Sequence, residues 1–391
     1  MRIVISASGR FHSLHLANQV RKNGSLYHLY SAAYSDADKA LVPEILVSSN
    51  GLVGIADRVY IKFGLSRFMS PSRWYTIRDN WFDNWVLGKI KGAGDFDLFV
   101  GWANCSLGCI RECKKRGIKT VIECGSMHIE EQEKILKKAY KDIGFSAPPI
   151  VKKNKQKMLL EYKETDYISV PSEHVYKSFV DRGVDEAKLI KVSYGIDVRK
   201  FSLPRTGRPK KFRLLFVGQI GVQKGIHILL EAWKQLALPG NEVELILVGD
   251  LLADGRKILR PFKDDPTIKI VGPVRHDKLG EFYRSASVFV LPSMQEGLAM
   301  VIGEAMASGI PCICSSRTGA FEIMREGQDG FIFKVGDVKD LMKKILWCFE
   351  NQNEIFEMGK KASARAHEFT WDHYGDNMIQ AYKRIVEGET P

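Results

Sequence analysis

Pro292-Ser293-Met294-Gln295-Glu296-Gly297-Leu298-Ala299-Met300-Val301-Ile302-Gly303-Glu304-Ala305-Met306-Ala307-Ser308-Gly309 follows the apolar, β-branched run Ser287-Val288-Phe289-Val290-Leu291. That run has the length and composition of a buried strand. Pro292 and Gly297 mark a turn. Apolar residues at 298, 301, 302, 305 and 306 then give helical periodicity over 298–308, with Gly309 as the C-terminal stop. The strand therefore ends in a loop carrying Glu296, and Glu304 lies about two turns further on. Helix starts offer unpaired N–H groups and a partial positive charge to anions. A carboxylate at such a mouth accepts hydroxyls, and a second along the helix suits a vicinal diol such as a ribose. Together they fit a diphosphate with a sugar at each end. Ile310-Pro311-Cys312-Ile313-Cys314 reads as the next strand.

Outward from this unit the chain alternates strands and helices. Strand-like runs lie at 3–6, 26–31, 97–102, 119–123, 167–170 and 189–192, with helical stretches at 11–22, 105–116, 129–141 and 152–164 between them. Ser172 is placed to cap a helix over 173–181. After Tyr194-Gly195-Ile196-Asp197 the polar stretch 204–211 reads as a linker. The pattern restarts with strands at 212–217, 243–248 and 268–271, and helices at 225–238 and 277–285. A short strand at 330–333 and helices at 338–350, 354–368 and from 371 onward complete it. Strands separated by helices predict parallel doubly wound sheets, and 391 residues suffice for two such domains.

The net charge of +12 is lopsided, because residues 1–200 carry 32 Lys+Arg against 22 Asp+Glu. A basic half implies nucleic acid, an anionic membrane surface or an anionic substrate. No zinc-finger spacing or RNA-recognition aromatic motif supports nucleic acid. Segment 58–91 interleaves Arg and Lys with Trp74, Tyr75, Trp81, Phe82 and Trp85, as membrane-interfacial segments do. Helices with aromatics on the core and solvated basic faces explain the same pattern, and both readings stand. No run approaches the roughly 20 apolar residues of a membrane span. Met1 leads directly into a strand with no signal-peptide layout, and seven scattered cysteines fit reduced thiols in the cytoplasm. Cys105, Cys109 and Cys113 at i, i+4, i+8 read as a buried helical stripe rather than a metal site.

The Glu-x7-Glu spacing of Glu296 and Glu304, within Glu-Gly-Leu and Glu-Ala-Met-Ala-Ser-Gly-Ile-Pro, resembles the donor-site signature of the family 4 retaining glycosyltransferases. The match is densest over 161–333 and loosest over 39–91. It implies the GT-B fold, two Rossmann-like α/β domains facing across a cleft. An acceptor-side domain would span 1–200 and a nucleotide-sugar domain 212–370, with helix 371–388 packing back on the first. Donor contacts would come from Gly218, Gln219, Lys224, Val274, Arg275, Glu296, Gly297, Leu298, Ala299 and Glu304. Lys224 would meet the diphosphate and the 274–275 loop the nucleobase. Relatives often carry Arg where Gln219 stands, which removes a positive charge, and Arg317, on the loop after Cys314, is the candidate to replace it. Glu322, in Thr318-Gly319-Ala320-Phe321-Glu322, is either a cap for its own helix or a ligand contact.

On the acceptor side Gly9, Arg10 and His12 lie at the first strand-to-helix turn, where open α/β sheets bind ligands. Ser126 and His128 lie at a later strand end, and His128 is the candidate to face the donor sugar. Glu296, His128 and Lys224 form the expected catalytic set. Retention ordinarily invites a carboxylate nucleophile. The resemblance instead implies front-face reaction, with the leaving phosphate oxygen deprotonating the acceptor and Glu296 holding donor hydroxyls. No Asp-x-Asp signature appears in the donor region, so no metal or other cofactor is expected beyond a UDP- or GDP-linked sugar co-substrate. The partners implied are that donor, a glycan or lipid-linked acceptor, an anionic membrane surface and no nucleic acid. The protein would work in the cytoplasm, peripheral on the inner membrane face. An epimerase or phosphorylase on the same architecture, or a non-enzymatic basic binding module, competes with this reading. Epimerisation without acceptor or a pyridoxal cofactor marks the first alternative, and nucleotide-independent binding with a steep salt slope the second.

Overall fold

The structure, a computed structural model, describes residues 1–65, 68–202, 207 and 209–391. Half of the predicted 204–211 linker, and Ser66 and Arg67 of the basic aromatic segment, lie outside the described residues. Seven parallel strands form the first sheet: β1 (Ile3–Ala7), β2 (Leu26–Ser31), β3 (Val47–Ser49), β4 (Leu98–Trp102), β5 (Lys119–Glu123), β6 (Tyr167–Val170) and β7 (Leu189–Lys191). Their order is β3-β2-β1-β4-β5-β6-β7. Six more build the second: β8 (Phe212–Val217), β9 (Val243–Val248), β10 (Ile268–Gly272), β11 (Val288–Leu291), β12 (Cys312–Ser315) and β13 (Gly330–Phe333), ordered β10-β9-β8-β11-β12-β13. The central strands are wholly buried, as in β1, β4, β9 and β11. Strands covered on both faces need apolar residues throughout, which is why they read as continuous runs.

Each sheet reverses its winding once, between β1 and β4 and between β8 and β11. Ligand crevices of open α/β sheets form at such switch points, beyond the carboxyl ends of the strands. The loops after β1, β4, β8 and β11 are therefore the ones the topology sets at the cleft. Strand β3 and the helix Ala253–Leu259 escape the sequence pattern because both are short and carry no clear period. Cys105, Cys109 and Cys113 are buried thiols, and burial pushes the Cys105 and Cys113 thiols up to about 12. Among the described residues no group of three His, Cys, Asp or Glu side chains is placed to hold a metal. None of the described helices is long and apolar enough to cross a membrane.

The last helix, Trp371–Glu387, returns to the first domain. Trp371 stacks on His15 at 4.0 Å, and Asp372 accepts from Gln19 at 2.9 Å and pairs with Lys22 at 2.5 Å. The chain threads this junction through Gly195, where a Cβ would lie 2.6 Å from the backbone nitrogen of Trp371. Backbone cannot yield as a flexible side chain can. Gly195→Ala is therefore expected to lower stability by about 2 kcal/mol, the usual cost of overpacking, in a denaturant titration.

Candidate functional site

Loop 292–299 links β11 to the helix Met300–Ala307, and first-domain side chains hold it on one side. Ser126 Oγ donates to Gln295 Oε1 at 3.2 Å and itself accepts from Gln132 Nε2 at 2.8 Å. His174 Nε2 lies 2.8 Å from the Glu296 carbonyl oxygen, and Ser172 Oγ donates to the Gly297 carbonyl at 2.7 Å. A carbonyl only accepts, so His174 carries its proton on Nε2. Burial holds its pKa below the usual imidazole value, which keeps the ring neutral. At Gly297 a Cβ would lie 2.2 Å from the Gly125 carbonyl oxygen, so only glycine permits this approach of the two domains.

These contacts correct two local expectations. Ser172 stands at the N-cap position of the helix Glu173–Val180, but its hydroxyl makes no capping bond and crosses to the opposite domain instead. The cap comes from Glu322, whose Oε1 accepts from the Glu173 N–H at 2.7 Å. Glu322 thus caps a helix of the first domain rather than its own.

On the second-domain side the glycines set the backbone. Gly225 has φ +71°, and a Cβ there would lie 1.9 Å from the Pro292 carbonyl oxygen. Lys224 is thereby pressed against the 292–299 loop, and its Nζ meets Glu296 Oε1 at 2.5 Å. Gly218 sits at the end of β8, with its N–H bonded to Val248. Gln219 beside it is exposed. Glu304 is buried on the helix, with Tyr283 donating to Oε2 at 2.8 Å and His276 Nε2 at 2.8 Å from Oε1. Of the 274–275 pair, Val274 packs on the core while the Arg275 side chain turns outward onto Asp277. His276, the next residue, is the one that reaches Glu304. Leu298 and Ala299 are buried, and the Ala299 N–H bonds the Thr318 carbonyl. Arg317 gives its backbone carbonyl to the Glu296 N–H at 2.8 Å.

Across the cleft a cavity of about 510 Å³ opens in the first domain, lined by His12, Tyr75, Trp102, Asn104, Glu123 and Ser126 among others, and bounded from the second domain by Leu298 and Met300. His12 Nε2 lies 3.1 Å from Glu123 Oε2, and its ring packs on Tyr194 at 4.2 Å. Gly9 and Arg10 line a separate neighbouring cavity, where Arg10 pairs with Asp38.

His128 does not face the cleft. It lies buried against Tyr162 and Phe179, with Nδ1 accepting from the Glu130 N–H as the cap of the helix Ile129–Asp142. An imidazole two residues before a helix carboxylate satisfies an orphan N–H, and that local need decides its direction. The histidine in the cavity wall is His12, which the first turn places there.

Sequence reading missed Glu161. Wholly buried, it accepts from the N–H groups of Asn104 at 2.5 Å and Ser106 at 2.8 Å, so it shapes the loop after β4 that lines the cavity. Burial raises its pKa to about 7. Asn104 holds φ +81°, a left-handed conformation that asparagine tolerates better than most other non-glycine residues and that clusters at functional sites. The available signal was a lone acid among Met158, Leu159, Leu160 and Tyr162.

With this geometry in place, the architecture defines the GT-B class. Solved structures of that shape include HepE from Anabaena in complex with UDP and glucose, at TM-score 0.71 and 17% identity over 98% of this chain and 99% of that one. Sucrose-phosphate synthase from Thermosynechococcus elongatus matches at TM-score 0.69 and 15% identity, covering 100% of both chains. Residues 211–351 match the family model for Glycosyl transferases group 1. In sequence the chain is similar to sulfoquinovosyl transferase SQD2 of Arabidopsis thaliana, 28% identical over 54% of this chain and 43% of that protein. It is also similar to the capsular polysaccharide biosynthesis glycosyltransferase CapM of Staphylococcus aureus, 29% identical over 58% of this chain and 64% of that one. The match spans less than two thirds of the length of these curated relatives.

Two outcomes are expected. His128, His15 and His227 are each lowered by burial to about 4 from an ordinary 6.5, so all three resist protonation in the folded state. The stability they confer is complete above pH 6.5 and is lost as pH falls toward 4. His128→Asn retains a capping oxygen and should flatten the decline of melting temperature across that window. Removing the latch with Ser172→Ala and His174→Phe should cost about 1 kcal/mol per lost hydrogen bond in chemical denaturation.

Proposed function

We propose that this chain is a retaining glycosyltransferase that moves a sugar from a nucleotide-diphosphate sugar to a glycan or lipid-linked acceptor in cell-surface polysaccharide or lipopolysaccharide synthesis. UDP is the preferred carrier, because HepE has been solved with UDP and with UDP-glucose. The CapM relative supports a polysaccharide product. The reading places the enzyme in the cytoplasm, peripheral on the inner membrane face.

One observation carries the proposal. Lys224 and Glu296 meet at the mouth of the helix that also bears Glu304, opposite the first-domain cavity. A diphosphate entering there competes for Lys224 and draws it off Glu296. The released carboxylate then accepts hydroxyls of the donor sugar. Tyr283 keeps one oxygen of Glu304 in place, while the more exposed His276 yields the other to the ribose diol. Lys224 and the backbone N–H groups at the helix start stabilise the departing diphosphate, the role a divalent ion plays elsewhere, so the reaction is metal-independent. Gln219 contributes no charge.

The carboxylates in the cavity wall are tied to the wall itself. Asp79 accepts from Arg78 and Asn104, and Glu123 is buried with its Oε2 bonded to both His12 and Ser169. That favours attack by the acceptor hydroxyl on the face the diphosphate leaves, with a phosphate oxygen taking the proton, over a covalent intermediate.

Thermal shift with UDP, GDP and ADP tests the donor site, since a ligand bound only by the folded state raises its melting temperature. UDP is expected to give the largest shift, and no shift with any of the three would overturn the reading. Glu304→Ala should weaken UDP binding about tenfold, the scale of one charge-assisted hydrogen bond. Glu296→Ala frees Lys224, so it should leave UDP affinity undiminished while cutting sugar transfer roughly a hundredfold. Equal losses in both measurements would contradict its assignment to the sugar.

A further inference from the structure

The helix Gly51–Lys62 turns an apolar stripe outward. Leu52, Ile55, Val59 and the C-cap residue Phe63 stand at i, i+3, i+7 and i+11, within roughly 80° of arc at 100° per residue. Their exposures are 66%, 50%, 41% and 60%. The fold uses the flank of the helix roughly 100–120° round from this stripe. Val53 and Tyr60 are buried there, Tyr60 stacks on Trp74 at 5.1 Å, and Trp74 Nε1 donates to Asp57 at 2.8 Å, while Ile61, across the helix from the stripe, is exposed as well. Tyr75, Ile77 and Trp81 on the adjoining helix Pro71–Lys91 are exposed as well.

The exposed charges beside the stripe are cations: Arg58 and Lys62 on this helix and Arg73 at the start of the adjoining one. The acids of 51–91 turn inward: Asp57 onto Trp74 and Arg78, Asp79 onto Arg78 and Asn104, and Asp83 onto Lys157. Ser72, Tyr75 and Arg78 belong both to this helix pair and to the wall of the 510 Å³ cavity.

We propose that this face docks on an anionic lipid bilayer, with the stripe of Leu52, Ile55, Val59 and Phe63 at the acyl boundary and the cations at headgroup level. Apolar anchors flanked by Arg and Lys are what such a surface binds. A second copy of the chain is the poorer occupant, because a two-fold contact would bring together two sets of the same cations, Arg58, Lys62 and Arg73, while the acids of 51–91 face inward and cannot pair with them. Docking in this pose presents the cavity mouth to the membrane, where an amphiphilic acceptor would enter. The docking itself does not rest on the glycosyl-transfer reading.

The test is co-sedimentation of the full chain with vesicles of phosphatidylglycerol and phosphatidylcholine, and with phosphatidylcholine alone, at rising salt. Binding is expected only to the anionic vesicles and should fall as salt rises. The triple variant Leu52→Ser, Ile55→Ser, Val59→Ser should bind at least tenfold more weakly while keeping the UDP thermal shift. Arg58→Gln with Lys62→Gln should weaken binding and flatten its salt dependence, which decides the matter should the triple variant fail to fold. Absent or charge-blind vesicle binding overturns the proposal. So does light scattering that shows a dimer which the triple variant dissociates. Nucleotide binding without vesicle binding would sink the docking surface alone and leave the donor site standing.

Discussion

Gln295, Glu296 and Gly297 each receive a hydrogen bond from the opposite domain, through Ser126, His174 and Ser172. Three consecutive residues held in this way cannot shift independently of the first sheet. The Glu296 carboxylate is aimed by its backbone, and its backbone is aimed by a domain more than a hundred residues away in sequence. The close approach at Gly297, where a Cβ would strike the Gly125 carbonyl, sets the separation of the two halves at that point. The return of the last helix onto His15, Gln19 and Lys22 adds a second tie between the halves.

This constraint also explains the unequal state of the two acids. Glu296 is paired with Lys224, a cation that an anionic ligand can draw away. Glu304 is fastened from within by Tyr283, whose buried phenol has its pKa raised by burial and by the carboxylate it contacts. On the proposed reading the first acid changes partners when the diphosphate binds, while Tyr283 already fixes one oxygen of the second.

The strands were legible because a sheet buried on both faces demands continuous apolar runs, as in Leu214 to Val217 or Val288 to Leu291. The long helices were legible from their period. Strand β3 was not, since Val47, Ser48 and Ser49 offer three residues and no alternation. Within the site, Lys224 and Glu296 were named from sequence and do meet. His128 was named for the cleft and instead caps a helix, because a local N–H competes for the imidazole and lies nearer than any ligand. His276, His174 and Glu161 carried no motif; their partners Glu304, Glu296 and the Asn104–Ser106 loop are distant in sequence.

Periodicity, turn residues and one acidic spacing were enough to define two doubly wound domains, the loop that bears Glu296 and the helix that bears Glu304. These are properties of neighbouring residues, and backbone geometry converts them directly into elements. Tertiary structure alone decided which side chains cross the cleft, which histidine enters the cavity and which apolar face of the helix Gly51–Lys62 is left to solvent. Each of those outcomes depends on what a distant element packs against, and a hydroxyl such as that of Ser172 can satisfy a near N–H or a far carbonyl equally well until the fold brings one of them within reach.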